Sequence, residues 1–191
     1  RVASTNGCYK VVTVNLTVNG TPFPANSVIP LTDCDDDGTI DGKRIWNLGQ
    51  TRSLILSKFS STTNLRIAYY RNEEDALSEN NKINPDNAYV NEVPYNDIIW
   101  VRVEDSTSGG CAGIAPLIEI TVNQRPEFEL DDTDVLCLND LPKIISTYDP
   151  KAIYTYEWTN ELGENVSELP TAEIYKAGVY TVIATSNLGC V

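Results

Sequence analysis

Asp33-Cys34-Asp35-Asp36-Asp37-Gly38-Thr39-Ile40-Asp41 gathers five carboxylates and one thiol into nine residues. Acids at alternate positions turn their oxygens toward one point when the chain bends tightly, and Gly38 permits that bend. Ile40 then anchors the loop to a core. Asp33, Asp35, Asp37 and Asp41 are therefore the candidate ligands of a calcium ion (Ca2+), with Asn47 as a further oxygen donor. The match to an EF-hand loop is partial, because the twelfth position, which would hold a bidentate Glu, is Arg44. The alternative is a solvated acidic turn, since acids this close repel one another unless a cation or water screens them.

The other reactive residues are cysteines: Cys8, Cys34, Cys111, Cys137 and Cys190. None forms a C-x-x-C pair and the chain has no histidine, which argues against zinc and excludes Ser-His-Asp and Cys-His catalysis. No glycine-rich phosphate loop is present. Carboxylates are plentiful, but in so acidic a chain their number does not identify a glycosidase. The chain is accordingly expected to be non-enzymatic.

Net charge is −13 over 191 residues, so nothing is available to neutralise nucleic-acid phosphates, and anionic membrane surfaces are disfavoured. No run of apolar residues is long enough for a membrane span. The chain starts at Arg1 and contains no Met, and it reads as an internal piece of a longer exported polypeptide.

The elements that must position these residues recur. Gly7-Cys8 leads into a strand ending Thr17-Val18-Asn19, followed by Pro22. Gly110-Cys111 leads into another ending Thr121-Val122-Asn123, followed by Pro126, and a third Gly189-Cys190 comes at the end. The repeat predicts three pieces: the last strand of a preceding module in 1–20, a complete module in 21–125, and a second module in 126–191 that lacks its final strand. It also predicts that Cys34 pairs with Cys111 and Cys137 with Cys190, each bond closing one module. The alternative is that some are free buried thiols.

Within the first module, Ile99, Val101 and Val103 alternate with polar or opposite-facing residues and predict a strand over Ile98–Glu104. Leu65–Tyr70 reads as a second strand and Asn72–Glu79 as a helical turn capped by Asn72. Ser53–Phe59 fits either a strand or a short helix. In the second module, Phe128–Leu130, Lys143–Ser146, Tyr154–Trp158, Glu173–Tyr175 and Gly178–Ala184 are strand candidates, with Trp158 in the core. Short strands at this spacing predict an all-β chain of tandem immunoglobulin-like β-sandwich modules, closed by disulfides.

Two resemblances follow from these motifs. Tyr156-Glu157-Trp158, Gly178-Val179-Tyr180-Thr181-Val182 and Gly189-Cys190 resemble immunoglobulin-like and PKD-like modules of Bacteroidota surface proteins. The acidic stretch, Trp46-Asn47-Leu48, Tyr69-Tyr70, Tyr89-Val90-Asn91, Ile99-Trp100-Val101-Arg102-Val103-Glu104 and Gly110-Cys111 together resemble the repeat of flavobacterial gliding-motility adhesins exported by the type IX secretion system. That resemblance implies a cell-surface stalk acting in adhesion, with extracellular surfaces, glycans or proteins and its own neighbouring modules as partners. The alternatives are a glycan- or protein-binding module presenting Tyr69, Tyr70, Tyr89 or Tyr95, and an accessory region of a secreted hydrolase.

Overall fold

The computed structural model describes residues 2–3, 9–13, 23–24, 27–131, 133–148 and 153–191. Val2–Ala3 (β1) pairs antiparallel with Tyr9–Lys10 (β2). The rest of the strand expected before Asn19 is not formed at 11–13, and 14–20 lie outside the described residues, as does Cys8.

The first module is built on one sheet of four strands: Ile29–Cys34 (β3), Leu65–Tyr70 (β5), Asn96–Asp105 (β7) and Cys111–Asn123 (β8), in the order β3-β8-β7-β5. Between them come the short strand Ile45–Trp46 (β4), a 3-10 turn Leu48–Thr51 that runs into helix Arg52–Leu56 (α1), helix Glu73–Ser78 (α2) and Tyr89–Val90 (β6), which pairs with β4. Period-two patterning decides the face of each strand. Ile99, Val101 and Val103 of β7 are fully buried, and Ile29 and Leu31 of β3 alternate with exposed Pro30 and Thr32. These residues form one cluster with Trp46, Leu48, Ile55, Tyr69, Tyr89, Leu117, Ile118 and Ile120.

The opposite face of the sheet is covered by α2. Asn72 caps this helix, accepting the Asp75 N–H at 2.8 Å. At its other end, Arg102 of β7 donates to the Ala76 and Leu77 carbonyls at 3.1 and 3.5 Å, and pairs with Glu79 and Glu104. Arg102 thus satisfies helix carbonyls that have no partner inside so short a helix. Burial opposes its charge, but the hydrogen bond to Glu104 and the nearby acids hold its pKa above the usual arginine value. Ser53–Phe59, open between strand and helix in the sequence, is largely the helix α1 and the turn after it.

The chain directions matter more than the strand count. β5–β7 and β7–β8 are antiparallel, but β3 runs parallel to β8, from Ile29 beside Ile118 to Cys34 beside Asn123. The strand leaving toward the second module therefore ends next to Cys34, while Cys111 begins that same strand at its other end.

The second module has two small sheets. Lys143–Ser146 (β9) pairs with Thr171–Ile174 (β12). Thr155–Asn160 (β10) lies between Asn165–Ser167 (β11) and Tyr180–Thr185 (β13). Tyr156, Trp158, Ala172, Ile174 and Ala184 are its buried centre, sharing no residue with the first cluster. Trp158 is fully buried and its indole N–H donates to Leu169 O at 3.0 Å. The β10–β11 turn closes on Gly163, whose φ of +77° suits glycine. Phe128–Leu130 makes an isolated bridge, Glu129 to Tyr148, in place of a strand. The chain is all-β apart from short helices, with sandwich-like packing.

Candidate functional site

The acidic stretch begins inside β3 and continues as the loop 35–44. Its carboxylates are used locally. Arg44 donates to Cys34 O at 2.7 Å and pairs with Asp33 at 2.9 Å and with Asp36. Asp37 accepts the Thr39 N–H and Asp41 the Lys43 N–H, each closing a turn within its own neighbourhood. Asp35 is buried, 1% exposed; its N–H donates to Asn123 O at 2.8 Å and its Oδ2 accepts the Gly42 N–H at 2.8 Å. Oδ1 of Asp35 has no hydrogen-bond partner. Asn47 stands outside the loop, exposed, at the start of the 3-10 turn. Among the described residues, no three or more Cys, Asp or Glu are grouped to hold a metal ion. The guanidinium of Arg44 supplies positive charge between Asp33 and Asp36, at the position where a calcium loop would carry an acid.

Asn91 holds this loop to the sheet. It is fully buried and all of its amide valences are used. Its oxygen accepts Arg44 N–H at 2.8 Å and the Trp46 indole N–H at 3.2 Å, and its nitrogen donates to Gly42 O and Val93 O, both at 2.9 Å. Tyr95 adds a second tie, donating its N–H to Gly42 O at 2.8 Å while its carbonyl accepts Val122 N–H. Gly42 has φ of +72°, and a Cβ there would meet the Tyr95 ring at 2.9 Å. In the sequence Asn91 stands out only as the end of the motif Tyr89-Val90-Asn91, with no role attached to it.

Cys34 closes the site. It is bonded to Cys190 of the second module, with Cα atoms 5.6 Å apart and a sequence separation of 156. Cys190 is 1% exposed and is held by a turn in which its N–H donates to Ser186 Oγ and its carbonyl accepts Ser186 N–H. Its sulfur lies 3.9 Å from Asn123 O, the carbonyl that also accepts Asp35 N–H. The pairings expected from the repeat, Cys34 with Cys111 and Cys137 with Cys190, are therefore not made. Cys111 and Cys137 are free and exposed. The reason is the direction of β3. β8 has 13 residues, so Cys111 is about 40 Å along the strand from the Asn123 end where Cys34 sits. A disulfide needs Cα atoms within roughly 7 Å.

The Cys34–Cys190 bond joins two separately cored modules through sulfur, at the end of β8. A family model described as the Flavobacterium inter-domain disulphide bond domain matches residues 30–126. The chain belongs to this family. The matched stretch contains Cys34 and Cys111, and Cys34 is the one whose bond crosses to the next module. No curated protein matches the chain.

The aromatics proposed as a ligand platform are packed inside. Tyr69, Tyr70 and Tyr89 are each under 5% exposed, and Tyr95 is half-buried. Tyr69 lies in the core and Tyr70 on the face under α2, because both faces of β5 are covered. Tyr89 donates its hydroxyl to Asp97 at 2.7 Å. Burial pushes all three phenols above the usual tyrosine value, and at Tyr89 the bond to Asp97 adds to it. No helix among the described residues is long and apolar enough to cross a membrane.

Proposed function

We propose that this chain is a non-catalytic segment of the stalk of a large secreted cell-surface adhesin. It would be exported by the type IX secretion system and serve surface attachment or gliding motility. The observation that carries this reading is the Cys34–Cys190 bond. It ties the first strand of one module, at the point where that strand lies beside Asn123, to the turn before the end of the next, which suits a part whose task is to hold spacing under load. Disulfides persist in oxidising, extracellular compartments, which supports a secreted or outer-membrane-associated location. The absence of histidine from the sequence supports a non-enzymatic role. The immunoglobulin-like and PKD-like likeness supports modules built for display. Extracellular surfaces, glycans or proteins are the targets of the whole adhesin.

The test uses the full exported protein. Residues 21–191 are deleted, or replaced by unrelated all-β modules of equal contour length. A stalk predicts that attachment and gliding fall on deletion and return with the spacer. Loss in both variants would instead favour a glycan- or protein-binding module.

Calcium at the acidic loop is a second reading, favoured by one observation: the buried, unpartnered Oδ1 of Asp35. Melting with calcium and with EDTA tests it. A higher melting point with calcium, abolished by Asp35→Asn, supports the ion; identical curves remove it and leave Arg44 as the counter-charge of Asp33 and Asp36.

A further inference from the structure

We propose that Cys111 and Cys137 are the two open ends of a continuing series of inter-domain disulfides, Cys111 bonding the module before this one and Cys137 the module after. This rests on the reading of the chain as part of a longer array.

The argument starts from the bond that is made. Cys190 follows Gly189, which has φ of +82°, in the turn after the edge strand β13. Cys111 occupies the same place in its own module. It follows Gly109-Gly110, with φ of +69° at Gly109, in the turn after β7. Both turns are closed by backbone bonds to the residue ending or following the strand: Gly109 N–H to Asp105 O, and Gly189 N–H to Ser186 O. Cys34 and Cys137 correspond in the same way, lying at nearly equal distances after Asn19 and Asn123. Each module thus carries an early cysteine and a late one. The observed bond joins the early cysteine of one module to the late cysteine of the next. Applied in phase, that rule sends Cys111 to the early cysteine of the module before it, and Cys137 to the late cysteine of the module after it.

Geometry places both thiols where the rule needs them. Cys34 beside Asn123 marks the junction end of the first module, and Cys111 marks the opposite end of β8, the end from which β3 also enters. In the second module, Cys190 adjoins Ser186 just beyond Thr185, again at the junction. Leu136, next to Cys137 in the chain, lines one hollow with Lys143, Ile174 and Tyr180. Tyr180 and Thr185 bound the six residues of β13, so Cys137 lies toward the end about 17 Å from the junction. Both free thiols are exposed.

The chemistry is thiol–disulfide exchange. Each new bond removes two electrons and two protons from a pair of thiols. A dithiol–disulfide oxidoreductase of the cell envelope accepts them, its own disulfide being reduced to the dithiol through a mixed disulfide.

The test is peptide mapping of the full exported protein, purified from cells, alkylated with iodoacetamide without reductant and digested. The proposal expects the Cys111 peptide joined to a cysteine peptide from before residue 1, and the Cys137 peptide joined to one from after residue 191. It also expects Cys111→Ser to free the thiol of its upstream partner while Cys34–Cys190 stays intact. Alkylated Cys111 and Cys137, a Cys111–Cys137 bond, or a bond between two copies of the chain would each overturn it. A failed attachment assay leaves this map unchanged, so the two readings fail separately.

Discussion

Replacing Cys34 and Cys190 together by serine removes the inter-module bond without leaving a lone buried thiol. The size of the effect follows from the register of β3. While the first module stays folded, Cys34 is fixed beside Asn123, so the bond closes the chain between Asn123 and Cys190, a separation of 67 residues. Chain entropy for a loop of that length amounts to about 4 kcal/mol at 25 °C. The second module has a small buried centre and depends heavily on this term. The first module, with its larger cluster, does not contain the closed loop and keeps its stability. Hydrogen exchange read by mass spectrometry separates the two. Peptides spanning β10 and β13 should lose protection by up to roughly 700-fold, while those spanning β7 and β8 change little. Equal losses in both modules, or unchanged protection in β10 and β13, would refute the reasoning.

Asn91→Ala strips the partners from Val93 O, Trp46 Nε1 and Arg44 N at once and leaves Gly42 O with the Tyr95 N–H. Unsatisfied buried groups cost about 1–3 kcal/mol each, so the first module should lose at least about 3 kcal/mol in urea titration. Gly42→Ala combines a positive φ with a contact at 2.9 Å to Tyr95, and should cost about 2 kcal/mol and loosen the loop, seen as faster exchange at residues 35–44. Tyr69, Tyr70 and Tyr89 have folded pKa values raised above about 10, so their contribution is complete below that pH and is lost as pH rises through it. The melting point of the first module should therefore be flat from pH 7 to 9 and fall above about pH 10, with Tyr89→Phe weakening that fall.

The strands were legible where burial imposes a strict alternation. Ile99, Val101 and Val103 declared β7, and Tyr156 and Trp158 declared β10. The cap at Asn72 was legible because it is local. The sulfur pairing was not, since it depends on whether β3 runs parallel or antiparallel to β8, a relation between residues far apart in sequence. The same limit hid Asn91, whose partners at Gly42, Arg44 and Trp46 come from another part of the chain. Arg44 was visible as a break in the calcium pattern. Its pairing with Asp33 and Asp36 gives the break a physical meaning, a fixed cation within an acidic loop. Tyr69 and Tyr70 look like a surface pair on one strand, but a core on one side and α2 on the other bury both.

Non-reducing peptide mapping of the 191-residue chain tests the junction most directly. After alkylation and digestion, the peptide carrying Cys34 should be recovered joined to the one carrying Cys190, with Cys111 and Cys137 alkylated. A Cys34–Cys111 peptide would contradict the parallel placement of β3 and β8 and the bridge between modules that depends on it.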